Sequence, residues 1–119
     1  MDFNEINWHD SIIKSIIIDR NFPGKNDTVK FEIEWSDNGK GELLFEEVYW
    51  ANLNLNFGIV AEESILSALT LGVNDTDLIS LYTKWKGLIN DVKLNVYIIN
   101  LNSSGGLIKI IAKSFKVTK

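Results

Sequence analysis

Residues 28–45 read TVKFEIEWSDNGKGELLF, and this stretch decides the fold. Apolar and polar residues alternate over 28–35, which is typical of an antiparallel strand with one buried face. The pair Asn38-Gly39 follows and favours the positive φ angles of a tight hairpin turn. Apolar residues then return over 42–50. The stretch therefore predicts a β-hairpin and, with it, an antiparallel sheet.

Four further segments predict strands of the same sheet. Residues 51–58 alternate as the hairpin does. Residues 11–19, SIIKSIIID, carry β-branched side chains on both parities, which favours a central strand with both faces covered. Residues 92–101 and 107–117 alternate again, and the turn NSSGG, residues 102–106, joins them as a second hairpin.

The middle of the chain changes to helical spacing. The apolar residues of 61–70 fit one face of a helix, and Glu62 and Glu63 suit its first turn. Apolar residues recur at helical spacing again in 75–87, where Asp75 or Thr76 is a candidate N-cap and Gly87 can end the helix. A strand remains the alternative there. The residues on these faces are Ile65, Leu66, Leu69, Leu78, Leu81, Tyr82 and Trp85.

The order of these elements predicts an α+β fold. We expect a strongly bent antiparallel sheet of about six strands, sandwich-like or half-barrel-like, with one or two helices between strands 4 and 5. The chain has 119 residues and no repeat or linker divides it. We therefore expect a single domain over 1–119.

Composition and charge limit the classes of partner. The net charge is −4 and the chain has no cysteine. An acidic chain without basic clusters is a poor match for nucleic acids and anionic membranes, but it suits a basic protein partner. The N-terminal residues do not resemble a signal peptide, and no apolar run approaches the length of a membrane span. We therefore expect a cytoplasmic protein.

The segment NWHDSII, residues 7–13, contains the only histidine, His9. Phosphohydrolases with a His-Asp signature use several histidines, and a facial metal site needs a second histidine. We therefore expect Trp8, His9 and Asp10 to be structural residues at the start of a strand, with Asp10 bonded to backbone groups in the turn. We expect no catalytic residue, no metal and no cofactor in this chain.

Other catalytic patterns are weak. Glu32 and Glu34 share a strand face about 7 Å apart, a spacing that an inverting glycosidase also uses. A solvated strand face produces the same pattern. The sequence contains no nucleophile elbow and no glycine-rich phosphate loop.

An acidic aromatic segment suggests a binding surface. Tyr49 and Trp50 are adjacent in a predicted strand, where neighbouring side chains point to opposite faces, so we expect one of them to be exposed. Glu46 and Glu47 lie beside them. An exposed aromatic residue with a negatively charged rim is typical of a protein-binding hot spot.

Four segments carry a resemblance to a group of proteins: WHDSIIKSI, GELLFEEVY, LNFG and GGLIKIIAKSF, which begin at residues 8, 41, 55 and 105. They resemble small bacterial β-rich proteins of unassigned function, some of which look like the immunity proteins encoded beside toxins. The resemblance implies a bacterial protein that binds another protein. It defines no functional residues.

Three functions follow as hypotheses. The first is a non-catalytic protein-binding module, immunity-like or another bacterial accessory protein, that docks the surface of Glu46, Glu47, Tyr49 and Trp50 on a partner. The second is a small-ligand-binding protein with an apolar cavity of several hundred Å³ inside a curved sheet. The third is a hydrolase that uses His9 and Asp10. The oligomeric state stays open.

Overall fold

The hairpin predicted for 28–45 is present, and it forms part of a sheet that closes on itself. The computed structural model describes residues 2–119. Its strands are β1 Ile12–Asp19, β2 Thr28–Trp35, β3 Gly39–Asn54, β4 Glu63–Leu71, β5 Asn95–Leu101 and β6 Leu107–Thr118, and its α-helix is α1 Thr76–Lys84. A short 3-10 helix, Phe3–Glu5, precedes β1. The strands follow the order β1-β2-β3-β6-β5-β4 around an antiparallel barrel.

The predicted α+β class is wrong, because residues 2–119 are mostly β, with one α-helix of nine residues. Residues 42–54 lie in one long strand, β3, whereas 55–58 lie beyond its end, and strand β4 takes the place of the helix predicted for 61–70. The error at β4 has a physical cause. A register shift between Ile65 and Ser67 places its buried residues, Ile65 and Ala68, three positions apart. A β-bulge therefore imitates helical spacing.

The helix predicted for 75–87 is confirmed. It begins after Asp75, whose side chain accepts a hydrogen bond from the backbone N–H of Leu78, and it ends at Lys84. Leu78 and Leu81 are buried. Trp85 caps the C-terminus and is 44% exposed, so it lies partly outside the apolar stripe predicted for it.

The barrel closes weakly between β1 and β4. Only Ile12 and Ile13 of β1 pair with β4, opposite Ser64 and Glu63. A register shift in the pairing with β2 makes Lys14 a bulged residue, and a bulge bends a strand and disrupts its ladder. Strand β1 therefore pairs along its whole length with β2 but leaves β4 after two residues.

The expectation that β1 is covered on both faces is wrong for its second half. Ile17 and Ile18 are 43% and 53% exposed. Ile13 is buried, and Ile16 packs against the interior of the barrel. The exposed isoleucines lie where β1 has separated from β4.

Aromatic side chains fill the interior of the barrel, and the N-terminal segment closes one end. The ring of Phe3 lies 4.6 Å from that of Trp8, 4.8 Å from that of Tyr97 and 5.0 Å from that of Phe115. Nε1 of Trp8 donates to the carbonyl of Phe3 at 2.7 Å. Aromatic pairs at such distances stabilise a core beyond their buried area.

A second apolar cluster lies between α1 and the outer face of the sheet. Strand alternation creates it, because Val96 and Ile111 point outward while their neighbours Tyr97 and Ile110 point into the barrel. The residues buried here are Leu78, Leu81, Ile89, Leu94, Val96 and Ile111. The helix therefore covers one side of the barrel and leaves the β1 side uncovered.

Candidate functional site

The turn that contains His9 and Asp10 holds them at the surface. Nε2 of His9 lies 3.5 Å from Oδ1 of Asp10, and both side chains are about two-thirds exposed. Nδ1 of His9 lies 3.1 Å from the carbonyl oxygen of Leu66. Asp10 has a φ of 66°, a left-handed conformation in which Asp is enriched. The depression beside His9 is lined by apolar and uncharged polar residues, which are Ile6, Asn7, Trp8, Ser36, Leu66, Ser67 and Ala68.

Ser11, rather than Asp10, makes the buried side-chain hydrogen bonds of this turn. Oγ of Ser11 donates to the carbonyl of Asn7 at 3.0 Å and accepts from the N–H of Ser36 at 3.1 Å. Ser11 is completely buried. It joins the N-terminal segment to the end of β2.

The carboxylate pair on β2 is engaged in surface contacts. Glu32 accepts a hydrogen bond from the hydroxyl of Ser15, and Glu34 lies 3.7 Å from Nζ of Lys14. Within residues 2–119, no three His, Cys, Asp or Glu side chains are placed to hold a metal ion. The pair therefore shows the contacts of a solvated strand face.

Lysines of β6 lie beside the two glutamates of the predicted binding surface. Nζ of Lys116 is 3.3 Å from Glu46, and Nζ of Lys113 is 3.3 Å from Glu47. The surface therefore carries less unpaired negative charge than its own sequence indicates. Sequence reasoning missed these pairs because they depend on the register of β3 against β6.

A β-bulge in β3 changes the directions of Tyr49 and Trp50. The register against β6 shifts between Val48 and Trp50, so Tyr49 is the bulged residue. Both aromatics are half-buried and pack against the cluster beneath α1, instead of pointing to opposite faces. Alternation alone could not give this result.

Tyr49 lies between two surface concavities. One has a volume of about 240 Å³ and is also lined by Ile18 and Trp50. The other has about 410 Å³ and is also lined by Trp85 and Ile89. We call these five side chains the aromatic surface. Arg20 and Asp27 line both concavities, with Nε of the arginine 3.5 Å from Oδ1 of the aspartate.

A groove of about 400 Å³ lies at the open end of the barrel, where β1 has left β4. We call it the mouth groove. Ile13 and Ile16 line one wall, and the loop 55–62 with the turn between β5 and β6 lines the other. The loop and turn residues are Leu55, Asn56, Phe57, Gly58, Ile59, Ala61, Ser103 and Ser104.

Glu63 lies in this groove with a buried atom that lacks a partner. Its Oε1 is buried and has no hydrogen-bond partner among the described residues. Glu63 stands opposite Ile13 and has the same strand parity as the buried Ile65, so its side chain is on the inner face of the sheet. Lys14 also lines the groove but pairs with Glu34 and Glu62 instead. Sequence reasoning missed Glu63 because it assigned the residue to a helix.

Comparison with protein-family models, with curated proteins and with solved structures gave no match. In the part of the chain that the structure describes, no helix is long and apolar enough to cross a membrane.

Proposed function

We propose that this chain is a non-catalytic protein-binding module, an immunity-like or other bacterial accessory protein, that docks a basic protein partner on the aromatic surface. The observation that carries the proposal is the position of Tyr49 between two concavities, with Trp50 beside it and the partly exposed Trp85 across the larger one. Tyr, Trp and Arg are the side chains most enriched at binding hot spots.

The packing of the aromatic surface supports this proposal. Tyr49 and Trp50 rest on the cluster beneath α1, so their positions are fixed before a partner arrives. Fixed side chains lose little conformational entropy on binding. The two concavities can each accept one side chain of a partner, one on either side of Tyr49.

Charge supports a basic partner. The chain has a net charge of −4, and a net opposite charge speeds encounter. Glu47 lines the larger concavity and Glu46 precedes it in β3, and charges at the rim of an interface act mainly on the association rate. The lysines beside them limit the effect of each glutamate.

The experiment measures binding to the proteins encoded next to this chain, by calorimetry. Tyr49→Ala is expected to weaken binding by about 2 kcal/mol or more, which is roughly thirtyfold, because this aromatic side chain lines both concavities. Val73→Ala is the matched control, since Val73 is an exposed apolar residue outside the aromatic surface. Equal affinities of the two variants would reject this surface.

Reversal of Glu46 and Glu47 to Lys tests the charge argument. We expect slower association with the same partner and a difference that shrinks as salt is added, because rim charges are screened over about 8 Å at physiological ionic strength. Stopped-flow mixing at low and high salt measures both. An unchanged association rate at low salt would remove the acidic rim from the proposal.

The alternative is a small-ligand-binding protein, and the mouth groove favours it. Its volume of about 400 Å³ and its isoleucine lining match what a curved sheet offers to an apolar ligand. Binding of free amines, described below, distinguishes this alternative from a protein partner.

A further inference from the structure

Strand β1 has one paired edge and one open edge. All its residues except the bulged Lys14 pair with β2, whereas only Ile12 and Ile13 pair with β4. We call the β4 side of residues 14–18 the free edge. Within residues 2–119, no backbone hydrogen bond joins 14–18 to any segment other than β2.

The free edge presents backbone groups to a possible partner strand. In an antiparallel strand, the N–H and C=O of alternate residues point to the same side, so 14–18 direct at least two residues' groups away from β2. Proteins normally cover, charge or bulge such edges, because an open edge pairs with other chains. Here the edge follows a bulge and carries the exposed Ile17 and Ile18.

The mouth groove lies directly beside this edge. Lys14, Ser15 and Ile16 are part of both, and Phe57 and Ile59 on the opposite wall are 87% and 49% exposed. The groove therefore has an apolar lining on both sides and an edge of unpaired backbone along one of them. These are the two features that strand addition uses, hydrogen bonds for affinity and pockets for alternate side chains.

Glu63 adds a charge requirement to the groove. A buried carboxylate oxygen without a donor loses its hydration and gains nothing in return. The other buried carboxylate oxygen without a hydrogen bond, Oδ1 of Asp27, has Arg20 at 3.5 Å. Glu63 has no such neighbour among the ion pairs of the described residues. A cation supplied by a ligand would give this carboxylate a charged hydrogen-bond donor.

We propose that an extended segment of the protein partner adds a strand to the free edge of β1, in line with β4, and places a lysine or arginine side chain on Glu63. The proposal rests on the proposed function, because the occupant is part of a protein partner. The apolar side chains of the segment fill the mouth groove. The segment continues toward Ile18, which belongs to the aromatic surface, so one partner covers both regions.

The register of the sheet supports the position of the cation. A strand that continues the line of β4 has Glu63 opposite Ile13, and its next inward residue opposite Ile16. These two positions are two or three residues apart, which is about 7–10 Å along a strand. A lysine or arginine side chain that starts opposite Ile16 spans most of that distance and reaches the carboxylate.

The test uses a synthetic peptide, acetyl-VTKTVTV-amide, whose Val and Lys residues share one face. We expect a Kd below about 1 mM by calorimetry, and slower amide exchange at 14–18 when the peptide is bound. Glu63→Gln is expected to weaken binding about tenfold, because it removes the charge but keeps the shape. The matched control, Glu62→Gln, changes a neighbouring carboxylate that is 62% exposed, and we expect less than a twofold change.

Peptide variants test the backbone pairing. Two N-methylated peptides can be made, one methylated at its odd-numbered residues and the other at its even-numbered residues. Pairing along one edge predicts that one of these peptides does not bind and that the other still binds. Replacing the peptide's Lys by Glu should abolish binding. The proposal would be overturned if the two N-methylated peptides bound equally well, if Glu63→Gln had no effect, or if the unmodified peptide did not bind at 1 mM.

Two further outcomes assign the groove to another occupant and also overturn the proposal. If n-octylamine binds as tightly as the peptide and with the same dependence on Glu63, the groove binds a small amphiphilic amine. If the chain sediments as a dimer that the peptide dissociates, a second copy occupies the edge. The proposed function is tested separately, since partner binding that depends on Tyr49 but not on Glu63 would leave it intact and reject only the added strand.

Discussion

Asp75 and Glu63 are both carboxylates set against apolar parts of the sheet, but only Asp75 has partners. Oδ1 of Asp75 lies 2.7 Å from Nζ of Lys109, and Oδ2 accepts from the N–H of Leu78 at 3.1 Å. Oε1 of Glu63 has no partner in residues 2–119. Buried polar groups are nearly always satisfied, so a satisfied one indicates a structural role and an unsatisfied one requires another explanation.

The surroundings of the two carboxylates differ in the same way. Asp75 lies where α1 begins on the outer face of the sheet, above Lys109 of β6, so helix and strand are joined by charge as well as by apolar contact. Glu63 lies where two strands separate, and no helix within residues 2–119 covers the opening. Asp75 has its partners within the chain, whereas the proposed ligand would supply the partner of Glu63.

The largest effect is expected at Lys109. Lys109→Met removes the cation from Asp75, and from Asp77 at 2.5 Å, and leaves a nearly buried carboxylate uncompensated. We expect a loss of about 3 kcal/mol in the free energy of unfolding, measured by urea denaturation. Lys113→Met is the control, since its partner Glu47 is half-exposed, and it should cost less than about 0.5 kcal/mol. Equal losses in the two variants would show that burial does not distinguish these pairs.

The same pair predicts how stability depends on pH. Burial alone would raise the pKa of Asp75, but the hydrogen bonds from Lys109 and Leu78 outweigh it and hold the pKa below 3.8. The contribution of Asp75 is therefore fully present above about pH 3.8 and is lost as pH falls through the lowered pKa. Burial would likewise lower the pKa of Lys109, but Asp75 and Asp77 raise it above 10.5. That contribution is present below about pH 10.5 and is lost at higher pH.

Urea denaturation across these pH ranges measures both contributions. In acid, the free energy of unfolding that is lost through the Asp75–Lys109 pair cannot exceed the free energy of unfolding that Lys109→Met removes. We expect Lys109→Met to show a weaker dependence on pH below 3.8 and above 10.5 than the parent chain. Identical pH profiles for the two proteins would contradict the assignment.

The next effect concerns the turn before β1. The sequence predicts that Asp10→Ala costs about 1–2 kcal/mol through a lost turn bond. Among the described residues, however, the Asp10 carboxylate contacts only His9 at the surface, whereas the buried Ser11 bonds to both Asn7 and Ser36. We now expect about 2 kcal/mol for Ser11→Ala and less than about 0.5 kcal/mol for Asp10→Asn, which also tolerates positive φ. Thermal denaturation of both variants measures the difference.

The sequence predicted those parts of the fold that depend on local pattern. The alternation over 28–35 and the pair Asn38-Gly39 gave the first hairpin, and Asp75 with its helical stripe gave α1. The strands over 92–101 and 107–117 are present with closely similar bounds, and the turn between them is confirmed.

Three of the errors arise at bulges. The bulge in β4 made a strand look helical, the bulge at Tyr49 placed two neighbouring aromatics on one cluster, and the bulge at Lys14 opened β1 from β4. A bulge adds one residue and reverses the parity of those that follow, so periodicity cannot describe it. The mouth groove depends on the bulge at Lys14, and Glu63 was assigned to a helix because of the bulge in β4. The sequence pattern alone therefore could not predict either of them.

The smallest effect is expected at Glu63, and it has the opposite sign. Glu63→Leu replaces the unpartnered carboxylate with an apolar side chain of similar size in an apolar groove. Removing an unsatisfied buried polar group is stabilising, so we expect a gain of about 1 kcal/mol in the free energy of unfolding and a loss of peptide binding. Glu62→Leu is the control and should leave both unchanged within about 0.5 kcal/mol. Functional sites commonly trade stability for binding in this way. If Glu63→Leu instead destabilises the chain by 1 kcal/mol or more, the carboxylate supports the barrel itself, and the contrast with Asp75 disappears.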